Sequence, residues 1–129
     1  MNFSLDANTI SVIQEFEKTT KSRAKDAFDY KDRKVFVVEH GSIRKALGNK
    51  NKNILILEKK FNQKIKLVEF NPDVTIFIAN FLKPLKISSI ELKEDIVFIE
   101  GEDNKTQGLI IGARAQNLRN LEEIVKKYF

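Results

Sequence analysis

Two short polar turns carry the residue types that could bind an anionic chain. The first is Gly48-Asn49-Lys50-Asn51-Lys52-Asn53, and the second is Gly112-Ala113-Arg114-Ala115-Gln116-Asn117. Each has a glycine first, a basic residue third, an asparagine sixth and an apolar residue seventh. A helix is predicted after each turn, and the first N–H groups of a helix have no partner inside it. The first turn therefore indicates electrostatic binding of an anion, and phosphate is the obvious candidate.

The charge around the first turn supports that interpretation. Residues 44–66 hold eight basic side chains and one acidic one, a net charge of +7, whereas the whole chain has +5. A local positive field of this kind indicates a polyanionic partner such as nucleic acid. The alternative is that these lysines only keep the surface soluble. Their clustering around a glycine turn favours nucleic acid.

The elements that position the first turn follow from hydrophobic periodicity. A helix is predicted over residues 6–20 and a hairpin over 24–30 and 33–39, followed by a helix pair over 41–62 and a strand over 64–70. Val35–Val38 is a continuous apolar run, typical of a strand covered on both faces. The last two strands are joined through helices, so we expect them to be parallel.

The second half repeats this order with a period of about 64 residues. After a break at 71–73, the sequence predicts a helix over 74–82 that is buried on all sides, because nearly every residue is apolar. Strands are predicted near 85–92 and 96–100, then a short segment ending at Gly112 and a helix from about Gln116. No final strand is evident. The predicted fold class is α+β.

The order α-β-β-α-α-β, with a GxxG-like turn between the two central helices, resembles the prokaryotic (type II) KH domain. Two such units in one short chain resemble the archaeal NusA-type transcription factors. The residues that carry the resemblance are Phe16, Glu17, Thr20, Lys25-Asp26, Val35–Val38, Ala46-Leu47-Gly48, Lys64–Phe70, Asp73, Phe77, Ile78, Asn80, Pro84, Gly108–Gly112, Asn117 and Lys126–Phe129. The resemblance implies tandem type II KH domains at 1–70 and 71–129. It also implies single-stranded RNA binding in transcription elongation or termination, in an archaeal cytoplasm.

The turns depart from the family pattern at the second glycine of GxxG. Asn51 stands there in the first copy and Ala115 in the second. Asparagine tolerates a left-handed backbone and alanine does so only at a cost, so the first turn is expected to keep its shape more readily. Residues 1–70 carry a net charge of +6 and residues 71–129 a net charge of −1. We therefore expect the first unit to supply most of the RNA affinity.

The candidate RNA-binding residues comprise both turns, the helix before the first turn and two lysines of the following strand. They are Ile43, Arg44, Leu47, Gly48, Asn49, Lys50, Asn51, Lys52, Asn53, Lys64, Lys66, Gly112, Ala113, Arg114, Ala115 and Asn117. Bases are expected in an apolar groove that includes some of Ile43, Leu47, Ile54 and Leu57, although each of these side chains alone is more typical of a core. Asn53 and Asn117 could cap helices or contact RNA, and capping is the expected role.

Two other classes of function remain open at this stage. A pair of altered KH units could act as a scaffold that docks on RNA polymerase or a ribosomal component. An enzyme is disfavoured, because the one histidine, His40, has no visible catalytic partners and no nucleotide-binding glycine loop is present. The chain has no cysteine, no leader-like amino terminus and no apolar run of membrane-spanning length. We expect a monomeric cytoplasmic protein without metal or cofactor.

Overall fold

The computed structural model describes residues 6–129 and shows an α+β fold. The amino terminus without leader-like features and the start of the predicted first domain lie partly outside the described residues. The chain divides into two compact units, a first unit that ends at Asn71 and a second unit that begins at Pro72. Between residues 6 and 129, no helix is both long and apolar enough to span a bilayer.

Between residues 6 and 71, the first unit contains three α-helices and one three-stranded sheet. Its elements are α1 (Ala7–Thr20), β1 (Ala24–Tyr30), β2 (Arg33–Val38), α2 (Ile43–Leu47), a 3-10 turn (Asn49–Asn51), α3 (Lys52–Phe61) and β3 (Lys64–Glu69). The strand order is β1-β2-β3, with β1 antiparallel to β2. β2 and β3 are parallel, which confirms the prediction from the helical crossover.

The core of the first unit lies between its helices and its sheet. Phe16 of α1 stacks on Phe36 of β2 with ring centroids 4.4 Å apart, and both rings are fully buried. The side chain of Asp6 begins α1 by accepting a hydrogen bond from the N–H of Thr9 at 2.7 Å. All four side chains of Val35–Val38 are 0% exposed, so β2 is covered on both faces as predicted.

The second unit repeats the elements of the first through its helix pair. They are α4 (Val74–Leu82), β4 (Ile87–Lys93), β5 (Ile96–Gly101), α5 (Asn104–Ile111), a 3-10 turn (Ala113–Ala115) and α6 (Gln116–Lys126). β4 and β5 form an antiparallel two-stranded sheet. The strand predicted from Leu85 begins at Ile87, because the N–H of Leu85 instead bonds the Leu82 carbonyl at 2.9 Å.

The prediction that the helix at 74–82 is buried on all sides is wrong. Phe77, Ile78 and Phe81 are buried, but Ile76 is 45% exposed. Phe77 lies edge-on to Tyr128 and close to Phe129, with ring centroids 5.6 Å and 5.7 Å away. One side of α4 therefore forms the apolar contacts, and apolar composition alone did not reveal that the other side faces solvent.

Candidate nucleic-acid interface

The first turn has an unusual backbone. Gly48 ends α2 with φ +76°, and its N–H bonds the Arg44 carbonyl at 3.0 Å. Lys50 and Asn51 follow with φ values of 52° and 58°, two successive residues in the left-handed region. The N–H of Asn51 bonds the Gly48 carbonyl at 3.1 Å, which closes the turn directly before α3. The turn thus presents its residues as a tight bend at the start of that helix.

The second turn has the same backbone. Gly112, Arg114 and Ala115 have φ values of 75°, 55° and 59°. The N–H of Ala115 bonds the Gly112 carbonyl at 3.2 Å, as Asn51 does with Gly48. The second turn therefore keeps its shape although alanine occupies a left-handed position. Sequence reasoning did not anticipate the left-handed Lys50 and Arg114, because a basic residue carries no signal for positive φ.

The asparagine at the sixth position stabilises each turn through a hydrogen bond from its side chain to the preceding helix. The side-chain amide of Asn53 donates to the Ala46 carbonyl at 2.9 Å, and that of Asn117 donates to the Leu109 carbonyl at 2.8 Å. These carbonyls lie in the last turns of α2 and α5, where helices lack internal donors. The asparagines thus satisfy the preceding helix and do not act as N-caps of the following one.

This asparagine also explains the glycine at the first position. A Cβ atom on Gly48 would lie 2.8 Å from Nδ2 of Asn53, and one on Gly112 would lie 2.5 Å from Cγ of Asn117. Both separations are shorter than a normal van der Waals contact. The asparagine side chain therefore requires glycine five residues before it. This dependence can be recognised in the sequence only because both copies have the same spacing.

The start of α3 is open and positively charged. Its N-cap, Asn51, makes no side-chain capping bond, and no acidic residue lies in the first turn of the helix. Lys50 and Lys52 on either side of Asn51 are exposed, as are Arg44 and Asn49. Uncovered backbone dipoles beside lysine ammonium groups form an arrangement that can bind phosphate. At α6 the N-cap Ala115 also lacks a capping bond, but only Arg114 supplies charge in that turn.

The predicted apolar groove residues differ in burial. Leu57 is fully buried in the core of the first unit. Ile43, Leu47 and Ile54 are partly buried, and Ile43 and Ile54 pack against that core. Three of the four side chains thus keep some surface that a base could contact.

The two strand lysines lie away from the first turn. α3 has ten residues between Lys52 and Phe61, a length of about 15 Å, and Lys64 follows its far end. Lys64 is exposed and pairs in register with Arg33, whereas Lys66 is partly buried. Burial lowers the pKa of Lys66, with further contributions from the positive charges of Arg33 and Lys31. Sequence analysis missed this second basic cluster, because the hairpin turn meets β3 only through the parallel pairing.

The described part of the chain contains no cluster of side chains that could hold a metal ion, and its histidine lacks a visible acid–base partner. Across residues 6–129, no three His, Asp or Glu side chains come together as metal ligands. His40 lies two residues after the end of β2, and no carboxylate hydrogen bond orients its ring among the contacts of the described residues.

The chain is similar in sequence to curated archaeal proteins and in fold to a solved structure. The chain is 29% identical over 127 residues to a Methanococcus vannielii protein named probable transcription termination protein NusA, covering 96% of this chain and 73% of the relative. A Halobacterium salinarum protein of the same name is 27% identical over 131 residues, covering 100% and 94%. The crystal structure of APE1850 superposes with a TM-score of 0.74 at 23% identity, covering 97% of this chain and 94% of that one. No protein-family model matches the chain. The sequence relatives support a NusA-like role, and the structural likeness supports the fold.

Proposed function

We propose that this protein is a NusA-like factor that binds single-stranded RNA during transcription elongation or termination. The observation that carries the proposal is the repeated glycine–asparagine turn before an uncapped helix, in a chain similar throughout its length to archaeal proteins named NusA. The element order α-β-β-α-α-β and the parallel pairing of β2 with β3 support a type II KH domain at 1–70. Residues 71–129 then form a shortened second KH domain.

In this proposal the first turn holds the RNA backbone. Lys50 and Lys52 contact phosphates together with N–H groups at the start of α3, and Gly48 lets the backbone approach closely. Bases lie against the exposed parts of Ile43, Leu47 and Ile54. Asn53 positions the turn, since the residue is 6% exposed and its side-chain amide already donates to the Ala46 carbonyl. A KH groove accommodates about four nucleotides, so the affinity of one unit is modest.

The second turn contributes less to binding. Its unit carries a net charge of −1, against +6 for residues 1–70. Arg114 is its exposed cation, while Ala113, Ala115 and Asn117 shape the backbone around it. RNA polymerase is the protein partner that a NusA-like role implies, in the cytoplasm where transcription takes place.

The test compares two lysines at opposite ends of α3. Lys52→Glu and Lys59→Glu change the net charge equally, and both side chains are exposed. Fluorescence anisotropy with labelled single-stranded RNA is measured for the parent and both variants at several salt concentrations. We expect Lys52→Glu to weaken binding more than Lys59→Glu does, and to reduce the slope of log affinity against log salt by about 0.7 per lost contact.

A third variant measures the asymmetry between the two turns. Arg114→Glu is expected to weaken RNA binding less than Lys52→Glu, because the second unit lacks surrounding positive charge. Equal effects of Lys52→Glu and Lys59→Glu would show that binding depends on net charge and not on the turn. Absence of saturable RNA binding in the parent would contradict the proposal and favour a protein scaffold.

A further inference from the structure

Among residues 6–129, the sheet of the second unit lacks the third strand that completes the sheet of the first. In the first unit β2 pairs with β1 on one side and with β3 on the other. In the second unit β5 pairs with β4 alone, and no other strand among residues 6–129 joins it. The free edge of a strand presents unpaired N–H and C=O groups, a template on which another strand can be added.

A groove of about 440 Å³ with a mainly apolar lining lies between β5 and α6. Leu118, Leu121 and Val125 of α6 line one side of it, and Ile96, Val97 and Ile99 of β5 line the other. Leu118 is 40% exposed and Ile96 is 57% exposed. Apolar surface of this kind beside an unpaired strand is typical of an interaction site.

The first unit shows what fills the corresponding place. The positions 64 residues before Leu118, Leu121 and Val125 are Ile54, Leu57 and Phe61. These three side chains belong to or pack against the core that includes Ile65 of β3. The groove in the second unit is therefore the space that β3 occupies in the first, lined by apolar side chains at the same helix positions.

We propose that the open edge of β5 binds an extended segment of a partner protein, which adds a strand parallel to β5. In the first unit Ile65 pairs with Lys34 and Leu67 with Phe36. The two hairpin turns, Lys31-Asp32 and Glu94-Asp95, are 63 residues apart (94 − 31), so the equivalent hairpin positions in the second unit are Val97 and Ile99, which line the groove. The partner segment accordingly carries apolar residues at alternate positions that face α6.

The charges around the groove define the rest of the segment. Asp95 and Glu122 line it together with Lys126, whose ammonium group lies 3.4 Å from Glu122. Two carboxylates against one ammonium favour basic residues between the apolar ones. β3 itself, Lys-Ile-Lys-Leu-Val-Glu, has this pattern. The inference concerns protein binding by residues outside both turns, so it does not depend on RNA binding.

The probe is a fluorescein-labelled peptide with the sequence of residues 63–70, titrated into the intact chain. The control peptide has the same composition with each basic and apolar pair interchanged, which moves the apolar side chains to the opposite face. We expect saturable binding of the first peptide alone. Amide NMR shifts are expected at residues 96–101 of β5. Shifts confined to β2 would show exchange with β3 in the first unit and would overturn the proposal.

Matched variants of α6 test the groove directly. Glu122→Lys changes a residue that lines the groove, and Glu123→Lys makes the same charge change on its exposed neighbour. Leu118→Lys is compared in the same way with Leu92→Lys, an exposed leucine outside the groove. We expect Leu118→Lys to weaken peptide binding about tenfold or more through lost apolar burial, and Leu92→Lys to leave it nearly unchanged. Equal losses within each pair would refute the site.

A truncated chain and a sedimentation measurement test two other possible occupants of the groove. Removal of residues 2–5 is expected to leave peptide binding unchanged. Binding that appears only after this removal would mean that the chain fills its own groove, which contradicts the proposal. Sedimentation is expected to show a monomer in the concentration range of the titration. A dimer that Glu122→Lys and Leu118→Lys disrupt would instead identify a second copy as the occupant.

Discussion

Replacement of Ala115 by glycine tests whether the second turn stores backbone strain. Ala115 has φ 59° and ψ 22°, a left-handed conformation that costs an L-residue other than glycine about 1–2 kcal/mol. Glycine removes this cost but loses more entropy on folding, which works against it by about 0.4–1 kcal/mol. We therefore expect Ala115→Gly to stabilise the second unit by up to about 1.5 kcal/mol, the difference between these ranges.

Ala113→Gly provides the matched control. Ala113 lies in the same turn, is exposed, and is not among the residues with positive φ. The entropic cost of glycine is the same in both variants, so it cancels when they are compared. The two free energies of unfolding should differ by about 1–2 kcal/mol in favour of Ala115→Gly, with Ala113→Gly below the parent.

The assay must follow the second unit by itself. The chain has two tyrosines, Tyr30 in the first unit and Tyr128 in the second. NMR signals of the Tyr128 ring, followed through a urea titration, report unfolding of the second unit. If Ala115→Gly were no more stable than Ala113→Gly, the strain argument would be refuted. RNA affinity at one fixed salt concentration is measured on the same samples. A rise for Ala115→Gly would make the second turn an RNA site, and no change would make it a structural repeat.

Three further outcomes are expected. Phe77→Ala should destabilise the second unit by about 3–5 kcal/mol because it removes a buried ring, whereas Ile76→Ala on the exposed side of α4 should cost far less. Similar losses of stability in urea denaturation would contradict the one-sided packing of α4. Asn53→Ala should cost the first unit about 1–3 kcal/mol by leaving the Ala46 carbonyl unsatisfied, and amide exchange at the turn checks this. Hydrogen bonds from the N–H and hydroxyl of Thr106 lower the pKa of Asp103. The ionised Asp103 therefore stabilises the folded chain at neutral pH, and this contribution is lost as the pH falls through the lowered pKa. The urea midpoint of Asp103→Asn should depend less on acid pH than that of the parent.

Periodicity predicted most elements because it records which side of a segment is buried. The apolar run of Val35–Val38 and the strands and helices that form the crossover between β2 and β3 follow from that rule. It failed at α4, where Ile76 is exposed although its neighbours are apolar. A helix that is apolar in composition does not reveal how many of its sides have a partner.

The candidate site was less predictable, because its geometry depends on contacts between residues that are not neighbours in the sequence. The bond from Asn53 to Ala46 fixes the first turn, yet each residue alone is unremarkable in the sequence. Lys31, Arg33 and Lys66 come together only because the hairpin turn meets the start of a parallel strand. Side-chain partners of this kind leave no periodic trace, whereas a repeat does, and the repeat is what revealed the glycine–asparagine spacing.

The two units share a turn but differ in charge and in sheet closure. The turn is held by asparagine, glycine and left-handed residues in both, so its shape does not depend on the lysines that surround the first copy. The second unit has the same turn backbone but a net charge of −1, so its turn can shape a surface without attracting phosphate strongly. In our proposal the edge of β5, which no other strand among residues 6–129 pairs, adds a second kind of binding surface to that unit. RNA binding in the first unit and strand addition in the second are thus separable: Lys52→Glu should weaken only the first, and Glu122→Lys only the second.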